Sequence, residues 1–301
     1  RAFALDTARH LSLRGRYFGP LARPDRWVSW KFDAVRHGLK LIKAYRPDVI
    51  WSTYPIATAH LIGAELHRRT GLPWVADFRD PMAQEGYPAD PKTWQQFDAI
   101  ERRALLAAAH SVFTTPGAAA LYRQPYPEAA GRVELIENGY DEESFAAAEA
   151  GNGTNQREPL NPGAITLLHS GIVYPGERNP TQLFQALGEL KRSGGLQPER
   201  FKLRFRAAVH DELLARLARE NDVQALVEIL PAIPYRDALQ EMLRADALLV
   251  MQGKGCNDQI PAKIYEYLRT GRPGICLSHP EGDTVGVMRK AGMQGEARRG
   301  S

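Results

Sequence analysis

The sequence lacks most features that mark secreted, membrane-spanning or dinucleotide-binding proteins. Its two cysteines, Cys256 and Cys276, are too few for a disulfide framework or a paired Cys-x-x-Cys metal site, and they suit a reducing compartment. No stretch approaches the roughly 18 uninterrupted apolar residues of a membrane-spanning helix, and no signal-peptide pattern is present. No Gly-x-Gly-x-x-Gly motif follows a predicted strand, which argues against a dinucleotide-dependent dehydrogenase. The composition, 44% hydrophobic and 25% charged, instead indicates a soluble globular protein.

Positive charge is concentrated at the amino-terminal end. The net charge is +4, but residues 1–50 alone carry eleven Lys or Arg against four acids. This end is suited to peripheral contact with anionic lipid headgroups or with a phosphorylated acceptor, and the simpler interpretation is a solvated basic surface. Aromatic residues such as Tyr17, Phe18, Trp27 and Trp30 lie nearby, but the regular aromatic interleaving of nucleic-acid binders is missing, so we expect no nucleic-acid partner.

Short apolar runs alternate with amphipathic stretches along nearly the whole chain. This alternation is typical of βα units and parallel sheets. The predicted strands are 49–51, 74–76, 112–113, 133–136, 165–168, 201–206, 227–230, 247–251 and 274–277. The predicted helices are 58–70, 93–109, 117–124, 180–193, 211–220, 235–245, 261–269 and 284–291.

A segment rich in Gly, Asn and Pro, 146–163, separates two such series and is the best linker candidate. We therefore predict an α/β protein with two Rossmann-like parallel-sheet domains, 1–145 and 164–301, facing a cleft. Strand 201–206 alternates apolar and basic residues, so we expect it to have one polar face.

Ligands of parallel sheets bind where strands end, because loops and helix N-termini converge there. In the first half, two polar loops are predicted to follow strands: Ser52, Thr53 and Tyr54, then Asp77, Arg79 and Asp80. The first loop is able to hold a polar ligand or to cap a helix. The second has two carboxylates flanking an arginine, which must pair with one another or face a ligand. Asn138-Gly139 follows a later strand and is typical of a tight turn.

In the second half, Gly171 follows a strand and lets a ligand approach the backbone, while Arg178 near the next helix suits a phosphate. His169 is more typical of a packed residue. Lys263 and Glu266 are three residues apart, so they share one face of a predicted helix. There the carboxylate is able to accept both hydroxyls of a ribose and the lysine to meet a diphosphate. The alternative is a surface Lys–Glu pair worth about 0.3 kcal/mol.

Taken in order, these segments resemble the family 4 (group 1) retaining glycosyltransferases of the GT-B fold, over about residues 25–292. The resemblance is carried by segments 48–53, 71–80, 133–141, 261–268 and 271–273. It implies two Rossmann-like domains, of which the N-terminal one is incomplete here and the C-terminal end truncated. The opening strand with its Gly-rich loop and the closing helix of such enzymes are not recognisable.

The resemblance also implies roles for individual residues. Glu266 matches the glutamate that contacts the donor ribose, and Asp258 stands at the position of an earlier glutamate that contacts the donor sugar. The implied donor-binding residues are Gly171, Arg178, Lys263 and Glu266, and the implied catalytic residues are Asp258, Arg79 and Asp80. The implied acceptor-side residues are Ser52, Thr53, Tyr54 and Asp77, and the implied interdomain residues are Asn138 and Gly139.

The function implied is transfer of a sugar from a nucleoside diphosphate sugar to a hydroxyl of a glycan or lipid-linked acceptor, with retained configuration. We expect no metal and no cofactor. Cell-surface polysaccharide or glycolipid synthesis in the cytoplasm, at the inner face of the membrane, is the expected setting. The alternatives are a GT-B nucleotide-sugar 2-epimerase and a non-catalytic nucleotide- or glycan-binding protein.

Overall fold

A computed structural model describes residues 12–13, 16–17, 23–150, 158–292 and 296–298 of the 301-residue chain. The chain divides into two compact units, Arg1–Glu137 and Asn138–Ser301. Each unit contains a parallel sheet flanked by helices.

The described part of the first unit contains a four-stranded parallel sheet in the order β3-β4-β5-β6 and a short antiparallel pair, β1 and β2. Its elements are β1 (Ser12–Leu13), β2 (Arg16–Tyr17), α1 (Trp30–Tyr45), β3 (Ile50–Thr53), α2 (Ala57–Thr70), β4 (Trp74–Arg79), α3 (Pro91–Ala107), β5 (His110–Phe113), α4 (Pro116–Arg123) and β6 (Val133–Leu135).

Capping residues determine where the helices of this unit begin and end. Asp90 accepts a hydrogen bond from the Thr93 amide before α3, and Thr115 accepts one from the Ala118 amide before α4. Both helices have proline in the first turn, where its missing N–H costs nothing. Helix α2 ends at Gly71, whose φ of 72° is the left-handed conformation that glycine adopts without strain.

The second unit has a six-stranded sheet in the order β12-β11-β10-β7-β8-β9, with every neighbouring pair parallel. Its elements are α5 (Glu142–Ala150), β7 (Ile165–Ser170), α6 (Thr181–Arg192), β8 (Phe201–Arg206), α7 (Asp211–Glu220), β9 (Val227–Leu230), α8 (Tyr235–Arg244), β10 (Ala247–Met251), α9 (Lys263–Thr270), β11 (Gly274–Ser278), α10 (Asp283–Lys290) and β12 (Glu296–Arg298).

Two hydrophobic clusters cover this sheet. One includes buried side chains of α5, α8, α9 and α10, and the other includes those of α6 and α7. Strand β7 lies inside the sheet. The next two strands along the chain, β8 and β9, lie on one side of it, and the later strands β10 and β11 lie on the other side. The strand order therefore reverses between β7 and β10, and such a reversal is where open α/β sheets bind ligands.

The basic face of β8 is covered by α8 rather than exposed to solvent. Arg204 and Arg206 are 12% and 11% exposed and form ion pairs with Glu241 of α8, at 2.9 and 2.7 Å. Arg204 also pairs with Glu228 of β9, at 2.6 Å. Burial acts to raise the pKa of Glu241, but the hydrogen bonds and charges of Arg206 and Arg204 outweigh it and lower that pKa. This ionic layer fixes α8 on the sheet.

The first part of the predicted linker, 146–163, is helical. Residues 146–150 belong to α5, which packs into the second unit through the buried side chains Phe145 and Ala148. Residues 151–157 of that segment lie outside the described residues. The division between the compact units accordingly falls before α5, at Glu137 and Asn138.

Candidate functional site

The second unit brings Gly171 and Lys263 together at the point where the strand order reverses. Gly171 directly follows β7, and Lys263 is the first residue of α9, which lies beyond the end of β10. Gly171 has a φ of +115°, and a Cβ atom placed on it would lie 2.7 Å from the Lys263 Nζ atom. The lysine ammonium group therefore lies against the glycine backbone, in space that any larger residue would fill.

His169 contacts the same ammonium group. Its Nδ1 atom lies 2.9 Å from the Leu249 carbonyl oxygen, and its Nε2 atom lies 3.3 Å from Lys263 Nζ. Because a carbonyl oxygen only accepts, Nδ1 must carry the hydrogen and Nε2 must accept from the lysine. Burial and the positive charge of Lys263 hold the pKa of His169 well below its usual value, so the ring stays neutral.

Lys263 and Arg178 are cations that have no carboxylate partner in the part of the chain that the structure describes. Burial and the nearby charge of Arg178 lower the pKa of Lys263 to about 7, although Glu266 acts in the opposite direction. Arg178 lies over the ring of Tyr174 at 5.0 Å and donates only a long 3.4 Å bond to the Ile172 carbonyl. Within the described residues, no ion pair involves either cation. Two partly buried cations in this situation favour a bound anion.

Glu266 faces a tyrosine rather than the lysine three residues earlier. Its Oε1 atom accepts a 2.7 Å hydrogen bond from the Tyr235 hydroxyl, and no salt bridge to Lys263 forms among the residues that the structure describes. The simple surface-pair interpretation of Lys263 and Glu266 is therefore wrong. The last turn of α9 is fixed separately, because Arg269 pairs with Glu142 and Glu149 of α5, at 2.7 and 3.1 Å.

Asp258 lies in the loop between β10 and α9. The residue is largely exposed, and the partial burial of its carboxylate together with the charge of Asp283 raises its pKa. This loop is tied to the segment containing Arg178, because the Gly253 amide donates a 2.6 Å bond to the Glu177 carbonyl. Loops after β7 and β10 therefore meet at one place.

In the first unit, Ser52 has a structural role instead of the predicted position in a ligand-binding loop. It lies within β3, is buried, and accepts a 2.8 Å hydrogen bond from Trp74 Nε1. His60 Nδ1 lies 2.8 Å from the same hydroxyl oxygen, and Gly63 packs against both Ser52 and Trp74. The prediction failed because pairing of β3 with β4 extends the strand through Thr53.

Asp77 and Arg79 were likewise predicted in a loop but lie inside β4. Thr53 Oγ1 donates a 2.7 Å hydrogen bond to Asp77 Oδ2, which joins two predicted acceptor-side residues at neighbouring strand ends. The register of β4 against β5 shifts between Asp77 and Arg79, and Arg79 has a φ of 57°. Arg79 and Asp80 are exposed, whereas Tyr54 is buried and packs edge-on against Phe97.

Glu101 and Tyr122 support the loop after Asp80 through contacts that the sequence did not reveal. The Tyr122 hydroxyl donates a 2.8 Å hydrogen bond to Glu101 Oε2 and accepts a 2.9 Å hydrogen bond from the Met82 amide. Glu101 Oε2 also accepts from the Ala83 amide at 3.0 Å. Burial raises the pKa of Glu101 to about 7. These two side chains anchor the loop that follows Asp80, and no local pattern indicates a contact between residues so far apart in sequence.

Asn138 and Gly139 do not form the predicted tight turn. Neither residue has a positive φ, and residues 136–141 run without a turn between β6 and α5. Within the described ranges there is no group of three or more His, Cys, Asp or Glu side chains suited to a metal ion. None of the described helices is both long and apolar enough to cross a membrane.

The chain was compared with known proteins in three ways, and two of the comparisons found matches. A search with the sequence gave no significant match to a curated protein. Among solved structures, the chain is similar to α,α-trehalose 6-phosphate synthase from Burkholderia multivorans, with 15% identity, a TM-score of 0.63, and coverage of 91% of this chain and 65% of that one. It is also similar to HepE from Anabaena in complex with UDP-glucose, with 15% identity, a TM-score of 0.61, and coverage of 100% of this chain and 76% of HepE. At such identities these matches establish the fold.

The two parallel-sheet units and these structural matches define a GT-B fold, as the sequence predicted. In addition, residues 4–139, which make up less than half of the chain, match the family model of the glycosyl transferase 4-like domain, so the predicted resemblance to the family 4 glycosyltransferases is confirmed over the first unit. The chain spans 65% of the length of the Burkholderia multivorans synthase.

Proposed function

We propose that this chain binds a nucleoside diphosphate sugar in its second unit and transfers the sugar, with retained configuration, to a hydroxyl of a glycan or lipid-linked acceptor. One observation carries the proposal: Lys263 and Arg178 are partly buried cations with no carboxylate partner among the described residues, at the reversal point of the sheet. The diphosphate of a donor would supply the missing negative charge.

The chemistry follows from where charge develops during the reaction. Breaking the bond between the anomeric carbon and the phosphate oxygen leaves negative charge on the departing nucleoside diphosphate. Lys263, Arg178 and the positive end of the α9 helix dipole would stabilise that charge, because they are already oriented before the reaction begins. This mechanism calls for no metal ion and no cofactor.

Recognition of the donor would be divided among neighbouring residues. Glu266 has a second carboxylate oxygen for the ribose hydroxyls, Gly171 gives the phosphates access to the backbone, and Asp258 would contact the sugar. Similar structures support this class of ligand, since HepE was solved in complex with UDP and with UDP-glucose. A related synthase from Burkholderia xenovorans was solved with glucose 6-phosphate, which supports a sugar as the acceptor.

On the acceptor side, the first unit would contribute Thr53, Asp77, Arg79 and Asp80. The exposed basic residues Arg36, Lys40 and Lys43 of α1 support a peripheral contact with an anionic membrane, where a lipid-linked acceptor would be found. That setting corresponds to the cytoplasmic face of the membrane and to synthesis of cell-surface polysaccharide or glycolipid.

The proposal is tested by thermal-shift screening of the 301-residue chain against UDP, GDP, ADP and their sugars, followed by NMR of incubated donor. We expect one nucleotide series to raise the melting temperature, and EDTA to leave this shift unchanged. Sugar transferred to an acceptor with the donor's anomeric configuration would support the retaining reaction, whereas inverted product, or an epimer formed without acceptor, would contradict it. Failure of all three series to bind would refute donor binding itself.

A further inference from the structure

Tyr235 is the first residue of α8, and its side chain is 48% exposed at the same edge of the sheet as the start of α9. Its hydroxyl donates a 2.7 Å hydrogen bond to Glu266 Oε1. Burial, this bond and the negative charges of Glu266 and Asp141 raise the pKa of Tyr235, so the phenol keeps its hydrogen and acts as a donor. Glu266 is thus held by a neutral group rather than by a cation.

The helices that carry these two residues are fixed independently. Helix α8 is attached to the sheet by Glu241, whose carboxylate is 6% exposed and pairs with Arg204 and Arg206. Helix α9 is attached at its other end by Arg269. Because both helices are anchored away from the Tyr235–Glu266 contact, that contact adds little to the packing and instead fixes the direction of one half-buried carboxylate.

A carboxylate that must accept two hydroxyls at once depends on its orientation. Glutamate has three side-chain torsions and loses much freedom when it is held in place, so an unsupported side chain would lose binding energy by becoming ordered. An ionised carboxylate has about four acceptor positions, and the tyrosine uses one of them. Oε2 and the remaining Oε1 lone pair stay available for neighbouring hydroxyls.

We propose that Tyr235 is a positioning residue that orients Glu266 and thereby determines how strongly the site prefers ribose to a sugar lacking the 2′ and 3′ hydroxyls. This inference rests on the proposed function, in which Glu266 contacts the ribose. Tyr235 itself does not take part in the transfer of the sugar.

The test compares ribose recognition in wild type, Tyr235→Phe and Glu266→Ala by calorimetric titration of the full chain. The probes are UDP, GDP and ADP and the 2′,3′-dideoxy counterpart of each. Tyr235→Phe removes only the hydroxyl of a half-exposed ring, so we expect it to fold and melt like wild type. Tyr45→Phe, a change of another exposed tyrosine in the first unit, is the matched control.

We expect wild type to bind the preferred ribonucleotide about 10- to 100-fold more tightly than its dideoxy counterpart, and Glu266→Ala to lose this preference. Tyr235→Phe should reduce the preference by about 5- to 10-fold, because the affinity for the ribonucleotide should fall while the affinity for the dideoxy compound stays unchanged. In an assay of turnover with the matching donor, the same variant should raise KM and leave kcat near wild type, a split that a general loss of structure would not produce.

The outcomes separate the inference from the function on which it rests. If Glu266→Ala loses the preference while Tyr235→Phe keeps it in full, the positioning role is wrong and the donor site stands. Tighter ribonucleotide binding by Tyr235→Phe would also overturn the inference, because the tyrosine would then compete with the ribose for Glu266. If no nucleotide binds wild type, or if Glu266→Ala keeps the preference, the proposed function of this site fails and the inference fails with it.

Discussion

At the scale of single residues, the site depends on a glycine that leaves room for a lysine. A side chain at position 171 would meet Lys263 Nζ at 2.7 Å, and the φ of +115° would strain any residue other than glycine. The backbone strain and the collision with Lys263 would have separate consequences. Strain lowers the stability of the fold, whereas displacement of the ammonium group lowers affinity for an anion.

The change Gly171→Ala should therefore weaken binding of the preferred nucleoside diphosphate by about tenfold, since the charge-assisted hydrogen bond from Lys263 would be displaced. The matched control is Gly163→Ala, which also has a positive φ, of 84°, but has no atom within 4 Å of the added Cβ. Both variants should lose stability in thermal melts, and only the first should lose affinity in calorimetry. Equal affinity in the two variants would show that the anion does not depend on Lys263.

The pKa of Lys263 predicts a pH dependence of binding. Only the protonated amine attracts a phosphate, and the free site has a pKa of about 7 at this residue. A bound diphosphate should raise that pKa, so binding near pH 8 should take up a proton, and affinity should decline as the pH rises above 7. A terminal phosphate, with a second pKa of about 6, is already ionised in that range.

Proton uptake is measured by calorimetry in two buffers with different ionisation enthalpies. We expect up to one proton per bound nucleotide in wild type and a smaller uptake in Lys263→Met. An affinity that stays constant from pH 7 to 9 would mean that the lysine does not contact the ligand.

At the scale of elements, the ionic layer beneath α8 should be the most sensitive part of the second unit. Glu241→Gln would remove the negative charge that pairs with the buried cations Arg204 and Arg206. We expect a loss of about 3 kcal/mol in the free energy of unfolding. Glu220→Gln, at an exposed position of α7, is the control and should change it by less than about 0.5 kcal/mol. Urea denaturation measures both, and similar values for the two variants would contradict the anchoring role of α8.

In the first unit, α2 approaches β3 and β4 closely only because position 63 is glycine. A Cβ there would lie 2.5 Å from Trp74 Nε1 and 2.8 Å from Ser52 Oγ, both in the core. Gly63→Ala should therefore destabilise the protein by about 1–3 kcal/mol through overpacking. Gly131→Ala, where the added atom meets nothing within 4 Å, should be close to neutral. Thermal melts that show no difference between the two would indicate that α2 shifts freely.

Elements with strong local patterns could be predicted from the sequence, and those that depend on packing could not. Strands β9 and β10 and helix α7 have the predicted bounds, because each is a compact apolar run or a clear amphipathic repeat. Helix α1 was missed because Val35 is its buried residue, while Phe32 and Tyr45 are exposed and obscure the periodicity. Helix α5 was assigned in part to the linker because an alanine-rich segment gives little contrast between faces.

The same distinction holds for the site. The shared helix face of Lys263 and Glu266 could be predicted, because three-residue spacing is a local property. Their partners could not, because His169 and Tyr235 are 94 and 31 residues away and are brought close only by the strand order. Ser52 was misassigned for a related reason: where a strand ends depends on its neighbouring strand.

At the scale of the whole molecule, different observations support a functional role for each of the two units. The first unit matches a glycosyl transferase 4-like domain over residues 4–139, and its polar residues gather at the ends of β3 and β4. The second unit carries two cations, Lys263 and Arg178, that form no ion pair among the described residues, at the reversal point of its sheet. The central proposal therefore concerns the second unit: its cations would bind the diphosphate of a sugar nucleotide.

Calorimetric titration of the preferred nucleoside diphosphate into wild type, Lys263→Met and Lys290→Met tests this claim most directly. Lys290 is an exposed lysine of α10, so its replacement removes the same charge from the same unit without touching the site. We predict that Lys263→Met binds about 10- to 100-fold more weakly and that Lys290→Met binds like wild type. Equal affinities in all three proteins would contradict the account.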